Sequence, residues 1–279
     1  MWIQHIKVGK AAVTSLTDGR FRLDGGAMFG VVPKVLWEKL LVPDERNRIP
    51  LRINPLLIEW QGKRILVETG LFEGDAKFHD INGTERDETV FGGLNAMGLT
   101  PKDIDIVINT HLHYDHAGRN TDSSFKPTFP NARYFVQKQE IEEAQNPHER
   151  NHASYFPVLW EPLLESGHME ILDGETEILP GLNVIPMPGH NLGMQVVHLS
   201  SEGKSLIYTA DLMPTLHHAP YPYTMGYDLY PVTCLNNKKK CFPIWAEEGA
   251  IIAPPHDPNY AFGTLISNAK GFKAVGLER

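Results

Sequence analysis

The chain has 279 residues, 42% hydrophobic and 22% charged, the balance of a folded globular protein rather than a disordered or fibrous one. Its 34 acidic residues outnumber 26 basic ones, and a formal net charge of −8 argues against nucleic acid or anionic lipid as a partner. No apolar run approaches the ~18–20 residues needed to span a bilayer, and the first residues lack a secretory signal's apolar core, so a cytoplasmic protein with no membrane partner is expected.

No repeat, low-complexity stretch or flexible linker divides the sequence. Its 24 glycines and 21 prolines are spread along it, which predicts one domain over 1–279 built from many short elements. Pro33 suits the first turn of a helix over 33–41. Short apolar runs bounded by turn residues predict buried strands at 55–60 and 64–68. A helix over 89–97 is closed by Gly98, and a strand follows at 104–109. Residues 133–137 read as a strand running into a helix over 137–145. Further strands are expected at 182–186, 195–200, 205–209 and 250–253. Strands interspersed with helices imply a layered α/β architecture. Cys234 and Cys241 are the only cysteines. Their spacing suits neither a zinc ribbon nor a redox pair, so two reduced thiols are expected.

Directly after the apolar run 104–109 comes Thr110-His111-Leu112-His113-Tyr114-Asp115-His116-Ala117-Gly118. In extended backbone, residues two apart point to the same side, so His111 and His113 can share one metal. Asp115 and His116 are expected on a turn leading into a helix, from which they can reach a neighbouring metal. Imidazole and carboxylate together suit a divalent first-row ion such as zinc. Three more ligand-type residues each end a buried strand: His190 after Pro188-Gly189, Asp211 after 206–210, and His256 after Pro254-Pro255. Strand ends are where rigid scaffold commonly assembles a site. The remaining histidines stand in no comparable setting, although His217 or His218 lies close enough in sequence to Asp211 to line a pocket.

That order resembles the metallo-β-lactamase superfamily, whose motif is His-x-His-x-Asp-His followed by a lone His, an Asp and a final His. The resemblance runs from about residue 55 to 256. It implies a four-layer αβ/βα sandwich with two divalent metal ions, zinc being expected, at one edge. It further implies that His111, His113 and His190 hold the first ion, that Asp115, His116 and His256 hold the second, and that Asp211 bridges them. The stretches 24–34, 129–132 and 210–215 are similar to YtnP-type quorum-quenching lactonases, which open the ring of N-acyl homoserine lactones. Two positions depart from the family pattern. Glu68 stands where an aspartate usually supports a ligand histidine from behind, and its longer reach suits the same task. Pro214 stands where homoserine lactonases carry a tyrosine, so contact with the substrate carbonyl must come from elsewhere or from metal alone.

The expected chemistry is attack of a metal-bridging hydroxide on a lactone carbonyl, with Asp115 orienting the nucleophile and shuttling its proton. The same nucleophile would serve an organophosphate triester or a glyoxalase II-like thioester, so a small-molecule lactone or ester is the expected substrate class. The oxygen-reducing di-iron branch of the fold carries glutamate where His113 stands, which favours hydrolysis over redox chemistry. Nuclease relatives would need a clamp region and a basic surface, and neither is evident. Met28, Phe29 and Tyr223 are the expected apolar wall for an acyl chain.

Overall fold

The computed structural model describes residues 2–278. The N-terminal half supplies β1 (Gln4–Val8), β2 (Ala11–Ser15), β3 (Arg20–Asp24), β4 (Arg48–Arg52), β5 (Leu56–Trp60), β6 (Lys63–Val67), β7 (Ile106–Ile108), β8 (Arg133–Gln137) and β9 (Met169–Leu172). Seven of these form a sheet in the order β1-β2-β5-β6-β7-β8-β9, while β3 and β4 pair as a separate hairpin. The C-terminal half supplies β10 (Thr176–Leu179), β11 (Leu182–Pro186), β12 (Gln195–Ser201), β13 (Lys204–Tyr208), β14 (Ile251–Ala253), β15 (Gly263–Asn268) and β16 (Gly271–Gly276), which form a second sheet in sequence order.

Side chains alternating across each strand create three layers of core. Ile65 and Val67 of β6 point with Ile106 and Ile108 of β7 into the interior between the sheets, where they meet Val197, Leu199, Leu206 and Tyr208 of the second sheet. Leu66 and Val107 point the other way, onto α4 (Val90–Ala96), α5 (Lys138–Gln145) and α6 (Glu161–Glu165). Val196, Ile207 and Ile252 likewise face α7 (Pro231–Glu247). Strands buried on both faces must be apolar at nearly every position, which is why these runs stand out in the sequence. The result is the four-layer αβ/βα arrangement expected. A fourth, smaller core gathers α1 (Gly25–Phe29), α2 (Lys34–Trp37) and the β3–β4 hairpin, while α3 (Ala76–Asn82) contributes Phe78 at its margin.

The expected strands are present within a residue or two of their predicted ends. Thr89 caps α4 by accepting a hydrogen bond from Gly92 N at 3.1 Å. Two expectations need correction. The helix predicted over 33–41 is only Lys34–Trp37, because the backbone passes into a turn once Trp37 is buried. The segment after His113 does not enter a helix: residues 114–119 run through successive turns. No helix among the described residues is long and apolar enough to cross a membrane.

Strand direction positions the site. β6 and β7 run parallel, as do β13 and β14, and β11 points the same way as β13 across the antiparallel β12. The C-terminal ends of β6 and β7 therefore open at one edge, and those of β11, β13 and β14 do the same in the other sheet. Glu68 and the 111–116 loop leave the first set, whereas His190, Asp211 and His256 leave the second.

Candidate active site

Two groups of ligand-type side chains converge where the two sheet edges meet: His111, His113 and His190 in one, Asp115, His116 and His256 in the other. All are buried except Asp115, which is partly accessible. Asp211 lies between them. Its Oδ1 is 3.4 Å from both His116 Nε2 and His256 Nε2, and its Oδ2 is 3.3 Å from His190 Nε2. One carboxylate thus presents one oxygen to each group. Asp115 Oδ2 stands 3.5 Å from His256 Nε2 and 3.8 Å from His116 Nε2.

In four of the five histidines the ring nitrogen turned away from the centre faces a polar neighbour. His190 Nδ1 donates to Asp228 Oδ1 at 3.0 Å, and His256 Nδ1 donates to the Arg52 carbonyl at 3.2 Å. His111 Nδ1 lies 3.0 Å from Thr110 Oγ1. His116 Nδ1 faces Glu68 Oε1 at 3.5 Å, and the same oxygen accepts from Thr110 N at 3.0 Å. Glu68 and His116 also fall in a third cluster with His111. There the carboxylate meets the rear nitrogen of His116, so its place is behind the ligands.

The donor set fits divalent cations. With the rear nitrogens protonated, lone pairs remain on His256 Nε2 and His116 Nε2, which stand 3.0 Å apart; His190 Nε2 and His113 Nδ1 are also 3.0 Å apart. Lone pairs so close repel unless a shared proton or a metal cation lies against both. Nitrogens sharing one tetrahedral zinc at about 2.0–2.1 Å stand roughly 3.3 Å from each other. His111 Nε2 and Asp211 Oδ1 are buried with no hydrogen-bond partner, as a ligand atom would be. Charge agrees. Burial and the neighbouring imidazoles push His111 and His113 well below the usual imidazole pKa, leaving them neutral. Burial also opposes a proton on His116, but Asp211 and Asp115 outweigh it and raise its pKa well above the usual value. Burial would raise Asp211, yet His116 and His190 hold it well below the carboxylate range. The centre of the site therefore attracts positive charge.

Behind the 111–116 loop lies Glu140, whose Oε1 accepts from Leu112 N at 2.7 Å and from the Tyr155 hydroxyl at 3.1 Å. Burial pushes this carboxyl up to about 8. Tyr155 in turn accepts from Asn191 Nδ2 at 3.1 Å and packs its ring edge-on to His113. The loop bearing His111, His113, Asp115 and His116 is thereby tied to the loop bearing His190.

The cavity over these groups is walled by Leu23, Met28, Met225 and Leu229 on its apolar side. Tyr114, Arg150, Ser154 and Tyr227 supply its polar side. Met28 lies where the sequence predicts. Phe29 and Tyr223 do not line the cavity, which corrects that expectation. Phe29 is fully buried between Trp37 and His218, stacked on both, and Tyr223 meets it edge-on. His218 lies in the same rear layer, donating from Nε2 to the Met28 carbonyl at 2.9 Å. Asp228, Glu140, Tyr227 and Arg150 carry no sequence signal of comparable strength, since each reaches the site from a loop or helix far along the chain from its partner.

Known proteins resemble this chain in sequence and fold. An N-acyl homoserine lactonase of Bacillus thuringiensis is 28% identical over 215 residues, covering 72% of this chain and 79% of the relative. One from Bacillus cereus is 29% identical over 172 residues, and there this chain spans only 63% of the relative's length. A probable metal-dependent hydrolase from Staphylococcus aureus superposes with a TM-score of 0.91 at 29% identity, covering 98% of this chain and 99% of that one. AidC, a dizinc quorum-quenching lactonase solved with a product, shares the fold at a TM-score of 0.84 and 24% identity, over 99% of this chain and 98% of its own. Residues 48–256, from the hairpin strand β4 to the last site histidine, match the metallo-beta-lactamase superfamily. The chain belongs to that superfamily.

Proposed function

We propose that this protein is a metal-dependent hydrolase that opens the lactone ring of N-acyl homoserine lactones at a dinuclear centre. The observation that carries the dinuclear reading is Asp211, whose two oxygens face the two separate histidine groups. His111, His113 and His190 would hold one ion, and Asp115, His116 and His256 the other, with Asp211 shared. Zinc suits the nitrogen-rich set. Bound there, divalent ions would make water a nucleophile near neutral pH and polarise an ester carbonyl.

The chain's own groups account for the rest of the reaction. Hydrolysis adds water across the ring ester: hydroxyl joins the carbonyl carbon, the bond from that carbon to the ring oxygen breaks, and the ring oxygen gains a proton. Asp115 is the partly accessible carboxylate of the site and borders the cavity. It would take the proton from the attacking water and return it to the departing oxygen. Leu23, Met28, Met225 and Leu229 give an acyl chain an apolar, adaptable wall. Lactonase-named relatives support this substrate class over phosphotriesters and thioesters.

The test is a substrate panel on protein of defined metal content, comparing lactones of several acyl lengths, a phosphotriester and a thioester by kcat/KM. Lactones should lead, with kcat/KM rising as the acyl chain lengthens. Asp115→Asn should lose at least 100-fold in kcat, within the range expected of a general base. A preference for the phosphotriester by orders of magnitude would overturn the lactonase reading while leaving the metal site intact.

A further inference from the structure

The segment from Val31 to Val42 is apolar on both of its faces. Val32, Trp37 and Leu41 are buried in the small core beside the β3–β4 hairpin. On the other face Val31, Val35, Leu36, Leu40 and Val42 stand exposed, with Val31 at 84% and Val42 at 76%. Scattered single apolar side chains need no explanation, but five within twelve residues of one short segment form a patch. Together they present on the order of 500 Å² of side-chain surface, the upper end of what a lone soluble domain shows.

The charges within the patch indicate its cover. Lys34, Glu38 and Lys39 stand among the exposed apolar side chains. Lys34 Nζ rests 5.8 Å from the centre of the Trp37 ring, but none of the three forms an ion pair among the described residues, although Lys34 and Glu38 are spaced to pair along one helix face. An isologous two-fold contact brings a patch against itself, so that residue i meets j and j meets i. A patch carrying charges of both signs outside any ion pair can be complementary to its own copy. An anionic membrane suits it poorly, because the whole chain carries −8.

We infer that this face is a two-fold interface with a second copy of the chain, in which Lys34 of one copy opposes Glu38 of the other. Apolar side chains would form its centre, and exposed Pro33 with the stems of Lys34 and Lys39 would extend it toward the ~800 Å² per partner usual for stable interfaces. The interface adjoins α1, which carries Met28 of the cavity wall, so the second copy would brace one side of the cavity.

Light scattering and sedimentation of the full chain test this without reference to any substrate. The parent should have a mass near twice the 31.4 kDa of one chain. Val31→Glu combined with Val35→Glu should be monomeric with an unchanged circular dichroism spectrum, since both sites are exposed. Lys34→Glu and Glu38→Lys should each weaken the dimer at least about tenfold, because like charges then face each other twice. The double exchange should restore it to near the parent. A monomeric parent overturns the proposal, as does a monomeric parent that co-sediments with anionic or zwitterionic vesicles. A dimer indifferent to the two Val→Glu changes overturns it as well. Failure of the double exchange to rescue two weakened singles overturns the Lys34–Glu38 pairing.

Discussion

Asp228 sets the orientation of His190 from 38 residues away, with Oδ1 accepting from the imidazole while Oδ2 accepts from Met225 N at 2.8 Å. A carboxylate behind an imidazole selects the tautomer and raises the basicity of the inward nitrogen. Asp228→Asn keeps the size and loses the charge. It should weaken cation affinity or activity roughly 10–100-fold, with thermal stability of the cation-free protein close to the parent. Competition against a chelating dye measures this directly, and unchanged affinity for divalent cations would remove Asp228 from the site. The sequence makes Glu68 legible and leaves Asp228 hidden for a physical reason. Glu68 directly follows a buried strand that ends beside the ligand loop, whereas Asp228 meets His190 only through tertiary folding. Phe29 shows the opposite error. An aromatic beside a glycine-rich stretch signals proximity to the site, but not the direction in which the ring points. Glu68 after β6 and Ala210 after β13 also adopt left-handed φ of 64° and 47° without being glycine. Such strain persists only where the surroundings over-determine it, as they do at both sheet edges here.

At the scale of elements, the strands buried on both faces were readable because apolar residues fill nearly every position. The outer strands β1, β15 and β16 are not, since their exposed positions carry polar residues that blur the run. The longest helix, α7, carries no legible signal: it holds Pro243 and three successive lysines, and its apolar residues make no clean stripe. Yet α7 ties the rear of the site together. Lys238, buried within it, donates to the carbonyls of His218 at 2.8 Å and Tyr223 at 2.6 Å. Burial pushes this ammonium down to about 8 from an ordinary 10.5. A cationic group whose pKa is depressed on folding contributes stability above its unfolded value and loses it as pH falls through the folded one. Relative to Lys238→Met, the parent should therefore gain stability as pH rises from about 8 to 10.5, whatever the fixed cost of leaving two carbonyls unpaired. Denaturant midpoints of both proteins across that range check it. A parent-minus-variant difference that is flat with pH would mean Lys238 is not desolvated.

Across the whole molecule, the proposed ligands divide between the two sheets: four residues leave β7 of the first, and three leave the ends of β11, β13 and β14 in the second. Cations held by this set would cross-link the halves of the sandwich at one edge, because neither sheet alone can complete a coordination sphere. Ions that bind only the folded chain stabilise it by about 4.1 kcal/mol when present at 1,000 times their Kd. At roughly 2–4 °C per kcal/mol for domains of about 150–250 residues, chelation should lower Tm by roughly 8–16 °C for each ion removed. The unfolding should stay cooperative, since the core between the sheets contains no ligand. Asp211→Ala removes the one carboxylate that faces both groups, so most of that cation-dependent shift should vanish, even where the cation-free Tm is little changed. Scanning calorimetry with and without chelator, on parent and variant, reads both effects, with elemental analysis confirming that the ions have left. If Tm is the same before and after verified removal, the cations do not bridge the sheets. If Asp211→Ala keeps the full shift, Asp211 is not their shared ligand.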